Sequence, residues 1–285
     1  MKFIVNGRFA SYVEDIFSSK DYYTDYLNGK INSGQFCELM LADETLAKSE
    51  GFSKENIARI ALTPIDDKLP AETIIKYLVD NRIMSACGNM YDGFDEYRTY
   101  IRGNYNHGEF FTCIYPEDER LLYAMANITQ PKRVFVAGAY YGYFAVWAMK
   151  AIAGQGGMCV LSDIDEEVCA LAKENFEALG FGNHANVYCV DSEELLLNRT
   201  EPIDMLVLDA TGRPDDPRPE YRGKCIYGAL LKNAKHLLGK GSVIVIHNME
   251  PESPDMQALV SQLKLMNALG TSYETYNGLG VYVIS

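Results

Sequence analysis

Residues 132–285 alternate between two hydrophobic periods. Val134–Ala137 is a short apolar run with no polar interruption, the pattern of a strand buried on both faces. Met158–Ser162, Asn186–Val190, Pro202–Leu208 and Ser242–Ile246 predict further strands. Between the runs the period lengthens to that of a helix, as where Phe144, Trp147 and Ala148 share one stripe. Helices are expected from Tyr115, over Glu166–Leu179, at Glu193, over Tyr221–Leu238 and over Pro254–Leu269. Asn277-Gly278, between Thr271–Tyr276 and Leu279–Ile284, predicts a closing hairpin with a two-residue type I′ turn. This alternation predicts an α/β fold with a largely parallel sheet.

Residues 1–114 read differently, as a mainly helical segment set before a second domain at 115–285. Asn6-Gly7 suggests a small hairpin, helical patterns fall near 9–18, 34–49, 53–61 and 70–83, and Thr63–Asp67 reads as a loop. Tyrosine is dense here. The stretch Tyr97–His107 mixes aromatic, basic and amide side chains just before the core, and is the expected lid over a ligand. Pro116, with Glu117, Asp118 and Glu119, suits the first turn of the next helix, where acids meet the positive end of the dipole.

The first strand runs into Gly138-Ala139-Tyr140-Tyr141-Gly142-Tyr143-Phe144-Ala145-Val146. A strand, a glycine turn and a helix open a dinucleotide-type βαβ unit, in which backbone and free N–H groups can approach a ligand. The string resembles the S-adenosylmethionine (SAM) loop of catechol O-methyltransferase and its small-molecule relatives. That resemblance covers residues 115–285 and implies the Rossmann-like seven-stranded sheet of class I methyltransferases, with the last strand antiparallel. It implies SAM as cofactor, with Gly138, Ala139, Tyr140, Gly142 and Tyr143 along it. Asp163, with Ile164 after it, stands where an acid accepts the ribose hydroxyls. Asp165 reads instead as a helix cap. Asp191 and Ser192 are placed for the adenine, for a helix cap, or for both, and Asp209 adjoins the cofactor and the chemistry.

Relatives hold magnesium with Asp, Asp and Asn at the ends of the fourth and fifth strands, and carry a catalytic lysine three residues after the first Asp. Here those positions are Asp209, His247, Asn248 and Gly212. Magnesium prefers hard oxygen ligands, so no metal is expected. His247, Asp209, Asn248 and Tyr141 are the catalytic candidates. Two readings stand for His247: a general base titrating near neutrality, or a packed, hydrogen-bonded histidine. His107, His184 and His236 read as surface or structural residues.

Composition narrows the partners. The formal charge of −13 argues against nucleic acid or an anionic membrane surface. No apolar run is long enough to span a bilayer, and the N-terminus is too polar for a signal peptide. Seven dispersed cysteines predict reduced thiols and a cytoplasmic protein. The expected function is a metal-independent, SAM-dependent methyltransferase acting on a small molecule. The alternative is a SAM-consuming cyclase of the azetidine-2-carboxylate synthase type, which releases methylthioadenosine. Whether the N-terminal segment closes its own pocket or that of a homodimer partner is left open.

Overall fold

The computed structural model describes residues 17, 19–28, 30–31, 33–45, 67–85, 88–110, 112, 114–275 and 277–285. The expected Asn6-Gly7 hairpin and the helices at 9–18 and 53–61 lie outside these residues, Phe17 apart. Among these residues, four helices precede the core: α1 (Asp21–Leu27), α2 (Ser33–Ala42), α3 (Leu69–Asp80) and α4 (Phe94–Asn104). Helix α5 (Pro116–Thr129) leads into β1 (Arg133–Ala137), α6 (Val146–Gly154), β2 (Met158–Asp163), α7 (Glu166–Ala178) and β3 (Ala185–Cys189). The chain continues through α8 (Ser192–Asn198), β4 (Ile203–Leu208), α9 (Ile226–Ala234), β5 (Leu238–His247), α10 (Gln257–Leu265), β6 (Ala268–Tyr273) and β7 (Leu279–Ile284).

The sheet has seven strands in the order β3-β2-β1-β4-β5-β7-β6, with β7 antiparallel to β5 and β6. This is the Rossmann-like topology that the resemblance implies. Strand residues alternate between two apolar layers, as a period of two requires. Val134 and Val136 face one layer with Trp147 and Leu161; Phe135 and Ala137 face the other with Leu206, Ile244 and Tyr227. Both faces being covered explains why these strands read as continuous apolar runs.

The first layer extends into the N-terminal part. Ile74, Leu78, Phe94, Tyr97 and Ile101 belong to the same core as Trp147. The Tyr97 hydroxyl donates to the Val146 carbonyl at 2.6 Å. Helices α3 and α4 are thus packed onto the sheet layer, in one core with it.

The closing hairpin differs from expectation. β6 ends at Tyr273 and β7 starts at Leu279, so five residues separate the strands where a two-residue turn was expected. The reason is Asn277, which is 4% exposed and points its amide at Asp118 and His247. A turn that kept Asn277 at its tip would leave that amide in solvent. No helix among the described residues is long and apolar enough to cross a membrane.

Candidate functional site

The site lies at the carboxyl ends of the parallel strands, where open α/β sheets leave a crevice. Gly138 follows β1 with φ +75°, and a Cβ placed on it would lie 2.2 Å from Ala210 Cα. Only glycine lets the turn after β1 pass so close to the turn after β4. The loop then folds onto the end of β2: the Gly138 and Ala139 N–H groups donate to the Ser162 carbonyl at 3.1 and 2.9 Å. Tyr140 N–H donates to Asp163 Oδ2 at 2.8 Å. Asp163 Oδ1 accepts from the Ile164 and Asp165 N–H groups at 2.8 and 3.3 Å. A carboxylate offers about four lone-pair directions, so Asp163 keeps room for about one further donor.

Two cavities adjoin and share Gly138, Asp163, Ala210 and Thr211 in their walls. One, of about 310 Å³, is lined further by Ser162, Ile164, Asp191, Ser192 and Arg213. The other, of about 520 Å³, is bounded by Ile114, Tyr140, Tyr143, Phe144, Asp209, Lys224, His247, Asn248 and Asn277. Both sizes fall in the range of small-ligand pockets.

Most residues expected at the site from sequence are brought together here. Asp191 lines the smaller cavity while its Oδ1 caps α8 by accepting from Glu193 N–H at 2.8 Å, so capping and lining coexist. Ser192 Oγ lies 2.6 Å from Ser162 Oγ. Asp165 caps α7, with its carboxylate accepting from the Glu167 and Val168 N–H groups.

Three expectations are corrected. Tyr141 is fully buried, lines neither cavity, and places its hydroxyl 2.9 Å from His107 Nδ1. Gly142 also lines neither cavity; a Cβ there would meet the Phe176 ring, so this glycine serves packing. The stretch 97–107 lines neither cavity. Arg102 bonds Glu119 at 2.8 Å, Tyr105 donates to the Tyr141 carbonyl at 2.7 Å, and Asn106 exchanges two hydrogen bonds with the Asn175 side chain. Among the described residues before α5, Thr112 and Ile114 reach the cavity wall.

His247 is 3% exposed. Its Nδ1 lies 2.7 Å from Asp209 Oδ1, and its Nε2 lies 3.3 Å from Asp118 Oδ2 and 3.0 Å from the Asn277 amide. Burial alone would lower the ring's pKa; the Asp209 and Asp118 carboxylates outweigh it and push the pKa up to about 10. The two carboxylates thus favour the protonated ring, a form with no lone pair for a general base, and the contacts at both ring nitrogens are those of a packed, hydrogen-bonded histidine.

This pair also decides how a metal would fit. A protonated imidazole offers no lone pair, and its N–H occupies the Asp209 oxygen that would face an ion. Among the described residues, no group of three or more His, Cys, Asp or Glu side chains is arranged to hold a metal. The residues present do not fit magnesium.

They do fit a SAM-like molecule. Glycine allows close approach at Gly138, and Asp163 stands at the end of β2. Asp118 Oδ1 is a fully buried acceptor with no partner among the described residues, behind the wall formed by His247 and Asn277.

Two contributors were missed from sequence. Asn277 showed only as a turn residue. Lys224 carried no spacing signal at all. Gly212 and Gly223 pair through two backbone hydrogen bonds of 2.9 and 3.1 Å, closing the intervening loop on itself. That closure sets Lys224 beside Asp209, with Nζ 4.0 Å from Oδ1.

Residues 135–249 match the family model described as a methyltransferase domain. A catechol O-methyltransferase of Niastella koreensis is 22% identical over 140 residues, which is 48% of this chain and 63% of that protein. The match therefore spans less than two thirds of that relative's length. Among solved structures, an O-methyltransferase from Bacillus cereus in complex with S-adenosylhomocysteine (SAH) is 15% identical, with a TM-score of 0.47 over 77% of this chain and 100% of that one. An SAH-bound methyltransferase of Podospora anserina is 16% identical, with a TM-score of 0.49 over 78% of this chain and 97% of that one.

Proposed function

We propose, from the methyltransferase-domain match over residues 135–249 and the seven-stranded sheet around it, that the chain methylates an oxygen of a small molecule without a metal ion. The observation that carries this reading is the His247–Asp209 contact. At the position where the resemblance puts a metal, the second cavity has a histidine ring set between two carboxylates.

When bound, SAM supplies a methyl group on a sulfonium, already activated for transfer. The chain's own residues then have to bind, orient and exclude water. The Gly138–Tyr140 backbone and Asp163 take the ribose side of the cleft. Ile164, Asp191 and Ser192 take the adenine side. Tyr143 and Phe144 form an aromatic wall, which suits a cation beside the second cavity. His247, Asp209 and Asn277 hold the wall in register, and Asn248 offers an amide to the acceptor.

The test is product identification. The purified protein with SAM alone should leave it nearly intact, and SAH should appear only with an acceptor from a mixture of small hydroxylated compounds. Enzyme-dependent methylthioadenosine from SAM alone would overturn the reading in favour of the cyclase.

A further inference from the structure

Two thiols that line neither cavity meet at the carboxyl ends of β2 and β3. Cys169, one turn into α7, is buried. Its Sγ lies 3.6 Å from the Asp163 carbonyl oxygen and 3.7 Å from the Tyr188 carbonyl oxygen. Cys189, the last residue of β3, pairs in register with Asp163 and is exposed. The Cys169 and Cys189 side chains are in hydrogen-bond contact. Burial, that contact and the Asp163 charge push the Cys169 thiol up to about 12. Two sulfurs alone do not make a metal centre, and among the described residues no third His, Cys, Asp or Glu joins them.

We propose that Cys169 and Cys189 form a redox modification site, which a peroxide closes into a disulfide, and that the closed form binds the cofactor more weakly. The pair has the two parts this chemistry needs: an exposed sulfur that an oxidant can reach, and a buried partner that intercepts the oxidised form. Cys189 gives up its proton and its sulfur attacks one peroxide oxygen. The O–O bond breaks, and the released hydroxide takes up a proton as water, leaving a sulfenic acid on Cys189. The Cys169 sulfur then attacks the Cys189 sulfur, the S–O bond breaks, and the hydroxide leaves with the Cys169 proton as a second water. The sulfurs lose two electrons and the peroxide gains them. A disulfide holds its sulfurs about 2 Å apart, closer than two thiols in hydrogen-bond contact, so one sulfur must move. Cys169 sits in the core with Leu171 and Phe176, whereas Cys189 ends a strand at the edge of the sheet. The movement therefore falls on Cys189. Asp191 and Ser192, just beyond it, line the smaller cavity and move with it.

The test treats the full chain with hydrogen peroxide, removes the excess with catalase and blocks the remaining thiols. Peptide mapping without reductant should find Cys169 joined to Cys189, and dithiothreitol should undo the bridge. Cys189→Ser should form no bridge at Cys169. Calorimetric titration should show SAH binding about fivefold or more weaker in the oxidised wild type than in the reduced one, restored by dithiothreitol. Peroxide should leave the SAH affinity of Cys189→Ser unchanged, which separates the bridge from oxidation elsewhere. Cys189 left free, oxidised without joining Cys169, or joined to another cysteine would overturn the proposal, as would a bridged chain with unchanged SAH affinity. The peptide map needs no ligand, so it stands apart from the methyltransferase reading. A reduced wild type that binds no SAH would sink that reading, and the weakened-binding half of the proposal with it. Should Cys189→Ser fail to fold, the map of the wild type and its affinity before and after dithiothreitol decide alone.

Discussion

The Nδ1 atom of His247 lies 2.7 Å from Oδ1 of Asp209, tying the carboxyl end of β5 to that of β4. The contact uses up two of the three side chains that the catechol resemblance would offer to magnesium. Turnover should therefore survive EDTA, and added magnesium should not raise the melting temperature. Assaying SAH formation before and after chelation checks this. Activity lost to EDTA and restored by a divalent ion would show that the pair opens to take a metal.

The same ring makes stability depend on pH. Its pKa is about 10 in the fold against an ordinary 6.5, so the folded chain holds this proton more tightly than the unfolded chain. The resulting stabilisation is complete below about pH 6.5, declines by roughly 1.4 kcal/mol per pH unit above it, and is gone once pH passes about 10. His247→Gln should remove this slope. The stability gap between wild type and variant, from urea unfolding at several pH values, should shrink as pH rises. A gap that widens with pH would mean that the ring is neutral in the fold.

The strands were legible because their faces are both covered; a run such as Val134–Ala137 has one physical meaning when bounded by glycine and a helical stripe. The acid at the end of β2 was legible for the same reason, since Asp163 falls where a buried strand must surface. Side chains recruited across long loops were not. Lys224 reaches Asp209 only because Gly212 and Gly223 pair, and nothing local to either residue announces that. Tyr141 failed in the opposite way. It sits in the glycine loop, but the strap through Tyr105 and His107 covers it, and that burial comes from contacts made across 34 or 36 residues.

Asp163 and Asp165 should separate binding from folding. Asp163 lines both cavities and anchors the Tyr140 N–H, so Asp163→Ala should weaken SAH binding by about 1–3 kcal/mol. Asp165 caps α7, so Asp165→Ala should cost stability, about 0.5–2 kcal/mol, with SAH affinity little changed. Calorimetric titration with SAH and thermal unfolding read the two effects. A larger affinity loss in Asp165→Ala would move the ribose site two residues along the chain.

Adjacent acids at the start of α5 should respond oppositely to losing their charge. Glu117 is 1% exposed, its Oε1 has no partner among the described residues, and burial, with the Asp118 charge added, pushes its carboxyl well above the usual range. Burial thus favours its neutral form, and glutamine has nearly that shape. Glu117→Gln should therefore change stability by less than about 0.5 kcal/mol. Asp118 does different work. Its Oδ2 accepts from Tyr115 N–H at 2.7 Å and faces His247 Nε2 at 3.3 Å. Asparagine can keep the bond to Tyr115 but puts a neutral amide beside the imidazolium. Asp118→Asn should cost about 1–3 kcal/mol and draw the His247 pKa down towards its ordinary value, since one of the two carboxylates that raise it is gone. Denaturant unfolding gives the first quantity, and the chemical shifts of the ring protons against pH give the second. If Glu117→Gln is the costlier change and the His247 titration stays where it was in Asp118→Asn, the charge that holds the imidazolium belongs to Glu117.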